Sequence, residues 1–176
     1  KNLKAFMMKK LVAYLTTAFP DKNFTIDAIL SLKEVGVDKI ELGIPFSDPV
    51  ADGPVIEKAN LIALQNGFKI EDVFEVSKRV ASQIDTYWMG YFNSFYHKEY
   101  DFMVKQAKES GVKGFIIPDL PYEETEIYKD KLPLISFVAP TDTSKRIETI
   151  LQNSQEFIYM VAYAGITGSD KKEDLS

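Results

Sequence analysis

Residues 41–54 read ELGIPFSDPVADGP, and they directly follow the apolar segment VDKI at 37–40. An apolar segment followed by a proline- and aspartate-rich stretch predicts a strand and then a loop, and VIEKANLIALQNG at 55–67 continues as a helix. Glu41 and Asp52 are carboxylates that bracket this loop. Two acids around an apolar loop suit a site in which one acid is partly removed from water and the other lies on a mobile loop.

The same succession of a short apolar segment and a helical segment recurs along the chain. Strands are predicted at 11–17, 38–43, 84–92, 112–120, 133–140 and 156–165. Helices are predicted at 23–36, with Asn23 as N-cap, and at 55–66, 70–83, 97–111, 122–131 and 143–154. The strands are apolar without alternation, which is typical of a parallel sheet buried on both faces. These βα units leave two architectures open, a doubly wound sheet and a (β/α)8 barrel.

Two observations favour the barrel. No Gly-x-Gly-x-x-Gly follows the first strand, where LTTAFPD stands at 15–21, and this weakens the dinucleotide-binding form of the doubly wound sheet. Polar or special residues also follow the strands, whose carboxyl ends meet at the catalytic mouth of a barrel. These residues are Thr16, Thr17, Glu41, Tyr91, Asn93, Asp119, Pro140, Thr141, Gly165 and Thr167. Six predicted strands are nevertheless too few to close an eight-stranded barrel.

Composition and charge exclude several classes of protein. The 176 residues, 45% of them hydrophobic and 27% charged, predict one globular domain with a substantial core. A net charge of −5 argues against a nucleic-acid partner, because phosphate binding needs a basic face. No apolar run reaches the roughly 20 residues of a membrane span, and no signal peptide is expected. The absence of cysteine excludes disulfides and fits a reducing compartment, and no cluster has metal-ligand spacing.

Local sequence leaves a structural alternative open for each candidate residue. Glu41 ends a predicted strand among apolar neighbours, where desolvation would raise its pKa and make it a usable general acid, but it could instead pair with a nearby lysine. Asp52 stands before Pro54, and aspartate is a common N-cap while proline is favoured at the first helical position. Asp48 suits a turn, and Tyr159, in the middle of a predicted strand, suits the core.

Four motifs taken together resemble one enzyme family over essentially the whole chain. They are ELGIPFSDPVADGP at 41–54, PDLPYEE at 118–124, VAPTDTSKRI at 138–147 and YMVAYAGITG at 159–168. In this order and spacing they are similar to the tryptophan synthase α subunit. The resemblance implies a (β/α)8 TIM barrel of the cytoplasm that splits indole-3-glycerol phosphate into indole and glyceraldehyde 3-phosphate by a retro-aldol step. It further implies that residues 1–176 form a single barrel domain that is C-terminally incomplete, without the last two βα units.

The resemblance also implies roles for individual residues. Glu41 matches the general acid/base that protonates C3 of the indole and helps to remove the hydroxyl proton, and Asp52 matches the carboxylate that binds the indole N–H. The implied substrate-binding residues are Tyr14, Met89, Ile116, Tyr159, Thr167 and Gly168. The implied contacts with a tryptophan synthase β subunit, in an α2β2 assembly, are Pro45, Asp48, Asn93 and Pro121. No cofactor or metal is expected in this chain, because pyridoxal phosphate belongs to the β subunit that receives the indole for tryptophan synthesis.

Two functional classes other than a lyase are open. One is a catalytically silent subunit that only activates a β partner, and the presence of both acids argues against it. The other is a different phosphosugar barrel, such as an isomerase, which would lack the 41–54 motif and usually carries a lysine at a strand end. Within the resemblance, Tyr14 stands where phenylalanine is common, and Tyr163 stands where a basic or small residue is common.

Overall fold

The structure is a computed structural model that describes residues 9–48, 52–128 and 130–161. The strands are β1 Val12–Thr16, β2 Lys39–Gly43, β3 Asp85–Met89, β4 Gly114–Ile116, β5 Ser136–Val138 and β6 Ile158–Met160. The helices are α1 Lys22–Glu34, α2 Pro54–Gln65, α3 Ile70–Val80, α4 Phe92–Tyr96, α5 Tyr100–Glu109 and α6 Ser144–Asn153, and a 3₁₀ helix covers Tyr122–Ile127. Among these helices, none has both the length and the apolar character that crossing a bilayer requires.

The strands follow one another in chain order across the sheet. β1 to β4 form a four-stranded parallel sheet, and β5 pairs in parallel with β6. Phe115 joins the two parts, because its N–H donates to the Pro133 carbonyl at 2.9 Å and its carbonyl accepts from the Ile135 N–H at 2.9 Å. A doubly wound sheet reverses its strand order at a switch point, and the described strands show no reversal. The fold is therefore that of the (β/α)8 TIM barrel, as the sequence predicts, with six of its strands in the described residues.

Alternate residues along the strands face two separate cores. On the helix-facing side, Trp88 of β3 stacks between Phe74 and Phe115, with ring centroids 5.3 and 5.7 Å away. Its indole N–H donates to the buried Ser77 hydroxyl at 2.8 Å. The opposite side forms a smaller cluster, whose described members all lie outside the helices: Tyr87, Ile116 and Ile135, with Met89, Phe137, Phe157 and Tyr159 packed on them. This smaller cluster is the interior of the barrel, and it is the side on which a site can form.

Several element boundaries differ from those that the sequence predicts. The N-cap of α1 is Asp21, whose carboxylate accepts the Phe24 N–H at 2.9 Å, so the prediction of Asn23 as cap is wrong. The predicted helix 97–111 begins only at Tyr100, because Glu99 takes a φ of 63°, which a helix cannot contain. The short helix α4, at Phe92–Tyr96, is one that the sequence does not predict. The predicted helix 122–131 is only a 3₁₀ helix. The sixth predicted strand, 156–165, extends beyond the described residues, which end at 161.

Candidate active site

Glu41 is the middle residue of β2 and faces the interior of the barrel. Its neighbours in the parallel ladder are Tyr14 of β1 and Tyr87 of β3. Glu41 is only 6% exposed, and burial raises the pKa of its carboxyl above the ordinary value of 4.5. No lysine in the described residues pairs with it, since Lys39 on the same strand bonds to the Tyr87 hydroxyl and to Asp85. The lysine-paired alternative for Glu41 is therefore wrong for the described part of the chain.

Asp52 lies just before α2, but it does not cap that helix. The N-cap is Gly53, without a side-chain bond, and Pro54 opens the helix as predicted. The Asp52 carboxylate instead accepts the side-chain N–H of Asn60 at 3.1 Å and the hydroxyl of Tyr91. Burial raises the pKa of Asp52, the Asn60 bond opposes the rise, the charge of Glu57 adds to it, and the Tyr91 bond opposes it. Asp52 is thus a half-buried carboxylate held by two neutral donors.

Tyr14 lies near both acids. It is the ladder neighbour of Glu41, and with Asp52 and Met89 it lines a cavity of about 20 Å³. This volume holds about one water molecule. Burial raises the pKa of Tyr14 to about 12, and the charges of Asp52 and Glu41 contribute to the rise. The phenol therefore lies within the electrostatic reach of both carboxylates.

The position of the Tyr14 ring depends on Gly43. A Cβ built on Gly43 would lie 2.1 Å from the Tyr14 hydroxyl oxygen and 2.6 Å from its Cζ, far inside any real contact. Glycine is consequently the one residue that allows the ring to lie where it does. Gly43, two residues after Glu41 in the same motif, therefore leaves the space that the Tyr14 ring occupies near the two acids.

The other predicted substrate-binding residues are placed as follows. Met89 pairs with Gly43 and Ile116 in the ladder and lines the cavity beside Asp52. Ile116 is fully buried in the interior cluster but does not line that cavity. Tyr159 stacks on Phe137 with centroids 5.1 Å apart, and its pKa is raised by burial and by the charge of Glu41. The structure therefore brings Tyr159 near Glu41. The remaining two, Thr167 and Gly168, lie outside the described residues.

Two of the four predicted partner contacts lie in one groove. Pro45 and Asn93 both line a groove of about 410 Å³, whose apolar walls include Phe46 and Phe68. Pro121 lines a different cavity, of about 180 Å³. Asp48 is exposed, and its carboxylate accepts the hydroxyl of Ser47 at 2.7 Å.

Asn60 is the member of this site that the sequence does not single out. Its buried neighbours on α2 are Ala59 and Ala63, so a polar residue within the buried face of a helix was the available signal. Tyr91 belongs to the polar residues that follow the predicted strands, but the sequence indicates no specific role for it. In the described ranges, no group of three or more acidic or histidine side chains is placed to hold a metal ion.

Comparisons with known proteins agree on one family. The family model described as tryptophan synthase alpha chain matches residues 1–175. The tryptophan synthase alpha chain of Wolinella succinogenes is 53% identical over 174 residues, which cover 96% of this chain and 68% of that protein. That of Microcystis aeruginosa is 40% identical over 169 residues, covering 92% and 64%. The crystal structure of tryptophan synthase subunit alpha from Legionella pneumophila aligns with a TM-score of 0.83 at 34% identity, covering 91% of this chain and 64% of that one. The chain spans about two thirds of the length of these relatives.

Proposed function

Because this chain belongs to the tryptophan synthase alpha chain family, we propose that it cleaves indole-3-glycerol phosphate into indole and glyceraldehyde 3-phosphate. The observation that carries the proposal is the pair of acids in unlike surroundings, both of them near Tyr14. Glu41 is buried on a strand, and Asp52 is held on a loop by hydrogen-bond donors. Two carboxyl groups in different environments can take opposite protonation roles in one reaction.

The cleavage needs one proton delivered and one removed. Glu41, whose protonated form is favoured by burial, gives a proton to C3 of the indole, and positive charge develops on the ring nitrogen. Asp52, as a carboxylate, accepts the indole N–H and stabilises that charge. The hydroxyl on the substrate's glycerol chain loses its proton and becomes the aldehyde carbonyl, and the bond from that carbon to C3 of the indole breaks. The electron pair of the broken bond restores the aromatic indole ring. Glu41, now a carboxylate, assists in removing the hydroxyl proton.

The substrate contacts of the proposal have unequal support. Tyr14 and Met89 lie beside Asp52, and Tyr159 lies in the field of Glu41. Ile116 of β4 is the ladder neighbour of Met89 on β3. The backbone of Gly168 is proposed to hold the phosphate, and Thr167 to meet the Asp52 loop, on the strength of the family motif alone.

The proposed partner is a tryptophan synthase β subunit in an α2β2 assembly, which receives the indole through an internal channel. The shared groove of Pro45 and Asn93 supports their assignment as contacts, whereas Asp48 and Pro121 are assigned by the family motifs. We place the pyridoxal phosphate in the β subunit and propose no cofactor for this chain, because proton transfer by Glu41 and charge stabilisation by Asp52 balance the reaction. We further propose a single barrel domain located in the cytoplasm.

Replacement of Glu41 tests the proposal. Glu41→Gln keeps the size of the side chain but can neither give nor take the proton, so kcat for cleavage of indole-3-glycerol phosphate should fall by about 100-fold or more. Affinity for a substrate analogue without the side-chain hydroxyls, measured by calorimetry, should change little. Glu34→Gln, on the exposed last residue of α1, is the matched control and should keep full activity.

Two outcomes would contradict the proposal. Unchanged turnover in Glu41→Gln would remove the assignment of the general acid. Absence of cleavage in the unsubstituted protein, assayed with and without the β subunit, would instead indicate a subunit that only activates its partner.

A further inference from the structure

Asp52 is held by a residue of the following helix that belongs to none of the family motifs. The side-chain amide of Asn60 donates to the Asp52 carboxylate at 3.1 Å, across eight residues of sequence. We propose that Asn60 is a positioning residue for the cleavage, which holds Asp52 as an oriented carboxylate beside the cavity of Tyr14 and Met89. This inference deepens the proposed function and rests on it.

The surroundings of Asn60 show that its side-chain N–H, and not its side-chain oxygen, is the group that makes a hydrogen bond to a described residue. Asn60 is 3% exposed, and its side-chain oxygen accepts no hydrogen bond from any described residue. An unpaired buried acceptor lowers stability, and an apolar side chain of the same size would avoid that loss. The amide at position 60 is therefore accounted for by the N–H that it turns toward Asp52, and not by packing of α2.

A neutral donor is also the group that the reaction requires at this place. Burial and the charge of Glu57 both favour the protonated form of Asp52, whereas its proposed role requires the negative charge. A lysine or arginine would favour the carboxylate too, but it would neutralise the charge that must face the indole nitrogen. An amide stabilises the carboxylate and leaves its charge available to the substrate.

Two elements fix the direction of the carboxylate. Asn60 approaches from α2, and the Tyr91 hydroxyl approaches from the segment after β3. The titratable groups that face Asp52 are Glu57 on α2, Tyr91, and Tyr14 on β1. Donors from two directions limit rotation of the Asp52 carboxyl group. The loss of Asn60 should therefore change both the protonation and the orientation of Asp52.

Asn60→Leu, which keeps the size of the side chain and removes the donor, tests the inference. The kcat for cleavage should fall by roughly ten- to 100-fold, which is the loss expected for one hydrogen bond to a charged group, while KM changes less. Without the donor the pKa of Asp52 rises, so the acid limb of the pH–rate profile should move to higher pH. A ¹³C-carboxyl NMR titration, with Asp52 assigned from the spectrum of Asp52→Asn, should show the same upward shift.

Ser77→Ala is the matched control, because Ser77 is another buried polar helical residue that bonds to a buried group, the Trp88 indole, away from both acids. It should lower the thermal midpoint and leave the Asp52 titration unmoved. Asn60→Gln keeps an amide donor and should recover part of kcat. If Asn60→Leu does not fold, Asn60→Ala replaces it.

The titration separates failure of this inference from failure of the proposed function. An Asp52 titration in Asn60→Leu that matches the unsubstituted protein overturns the positioning role, whatever the activity. A shifted titration supports it. A protein that cleaves no substrate but shows the shift contradicts the proposed function and leaves the hold of Asn60 on Asp52 established.

Discussion

Glu41 and Asp52 both have a raised pKa, but the balance of causes differs between them. Within the described residues, burial is the cause of the shift for Glu41, whereas for Asp52 two hydrogen bonds oppose the effect of burial. Burial thus favours the protonated form of Glu41 on β2, whereas the hydrogen bonds to Asp52 favour the ionised form of that carboxyl on the loop. The proposed division of roles, with Glu41 as proton donor and Asp52 as charge stabiliser, rests on this difference between two side chains.

The raised pKa of Glu41 has a measurable effect on stability. Because the folded protein binds this proton more tightly than the unfolded chain does, stability is lost as pH rises from the ordinary value of 4.5 through the folded value. Glu41→Gln carries no such loss, so its urea midpoint should exceed that of the unsubstituted protein at neutral pH. Well below the ordinary pKa, the two midpoints should converge.

Glu34→Gln again serves as the control, since Glu34 is exposed and its substitution should leave the midpoints unchanged at both pH values. A gain for Glu41→Gln that is equally large in acid would show that the gain does not come from the proton on Glu41.

Local sequence could predict Glu41 better than it could predict the surroundings of Asp52. A glutamate among apolar strand residues already indicates a desolvated acid, and the structure confirms the burial. The choice between cap and site residue for Asp52 depends instead on Asn60, one turn and more along α2, and on Tyr91, far along the chain. Propensity favoured the cap, and this tertiary contact decided otherwise.

At the scale of elements, the start of α1 provides a direct comparison of two candidate caps. The Asp21 carboxylate accepts the Phe24 N–H, whereas Asn23 lies exposed inside the first turn. Asp21→Ala should therefore reduce the free energy of unfolding by about 1 kcal/mol, because a helix N–H loses its acceptor. Asn23→Ala should change it by only a few tenths of a kcal/mol, within the range of surface substitutions. Guanidinium unfolding of both variants measures the difference, and equal losses would contradict Asp21 as the cap.

The strands and the longer helices could be predicted in number and order from apolar periodicity, but the short helix α4 and two details of form could not. The break between α4 and α5 is made at Glu99, whose positive φ has no marker such as glycine in the sequence. The segment after Pro121 contains good helix formers, yet it adopts the tighter 3₁₀ form over Tyr122–Ile127. Neither detail can be read from the apolar periodicity of a single element.

At the scale of the whole molecule, the strand order is what distinguishes the two architectures that the βα pattern allows. That order depends on which strands pair, and no single segment contains this information. The contact of Phe115 with Pro133 and Ile135 continues the sheet from β4 toward β5 without a reversal. The family motifs could predict the barrel because they carry information about the whole fold, which the local pattern lacks.

The groove of Pro45 and Asn93 gives a prediction about assembly. Asn93→Lys places a positive charge on an exposed residue of this groove, and burial of an unpaired charge against a β subunit is unfavourable. Sedimentation with the β subunit should show affinity reduced by about tenfold or more. Asn153→Lys, on the exposed end of α6, adds the same charge outside the groove and should leave the affinity unchanged. Equal affinity of the two variants would place the β subunit elsewhere.

Gly43 and Tyr14 limit the order in which this site can change over generations. With the aromatic ring in place, any side chain at position 43 would overlap the ring, since its Cβ would lie 2.1 Å from the hydroxyl oxygen. Position 14 must therefore change to a smaller residue before position 43 can change. That first substitution leaves a cavity, which lowers stability by an amount that a fold can tolerate. A mutagenesis library that varies position 43 alone should return glycine only, whereas one that varies both positions opens a two-step path to a differently shaped pocket.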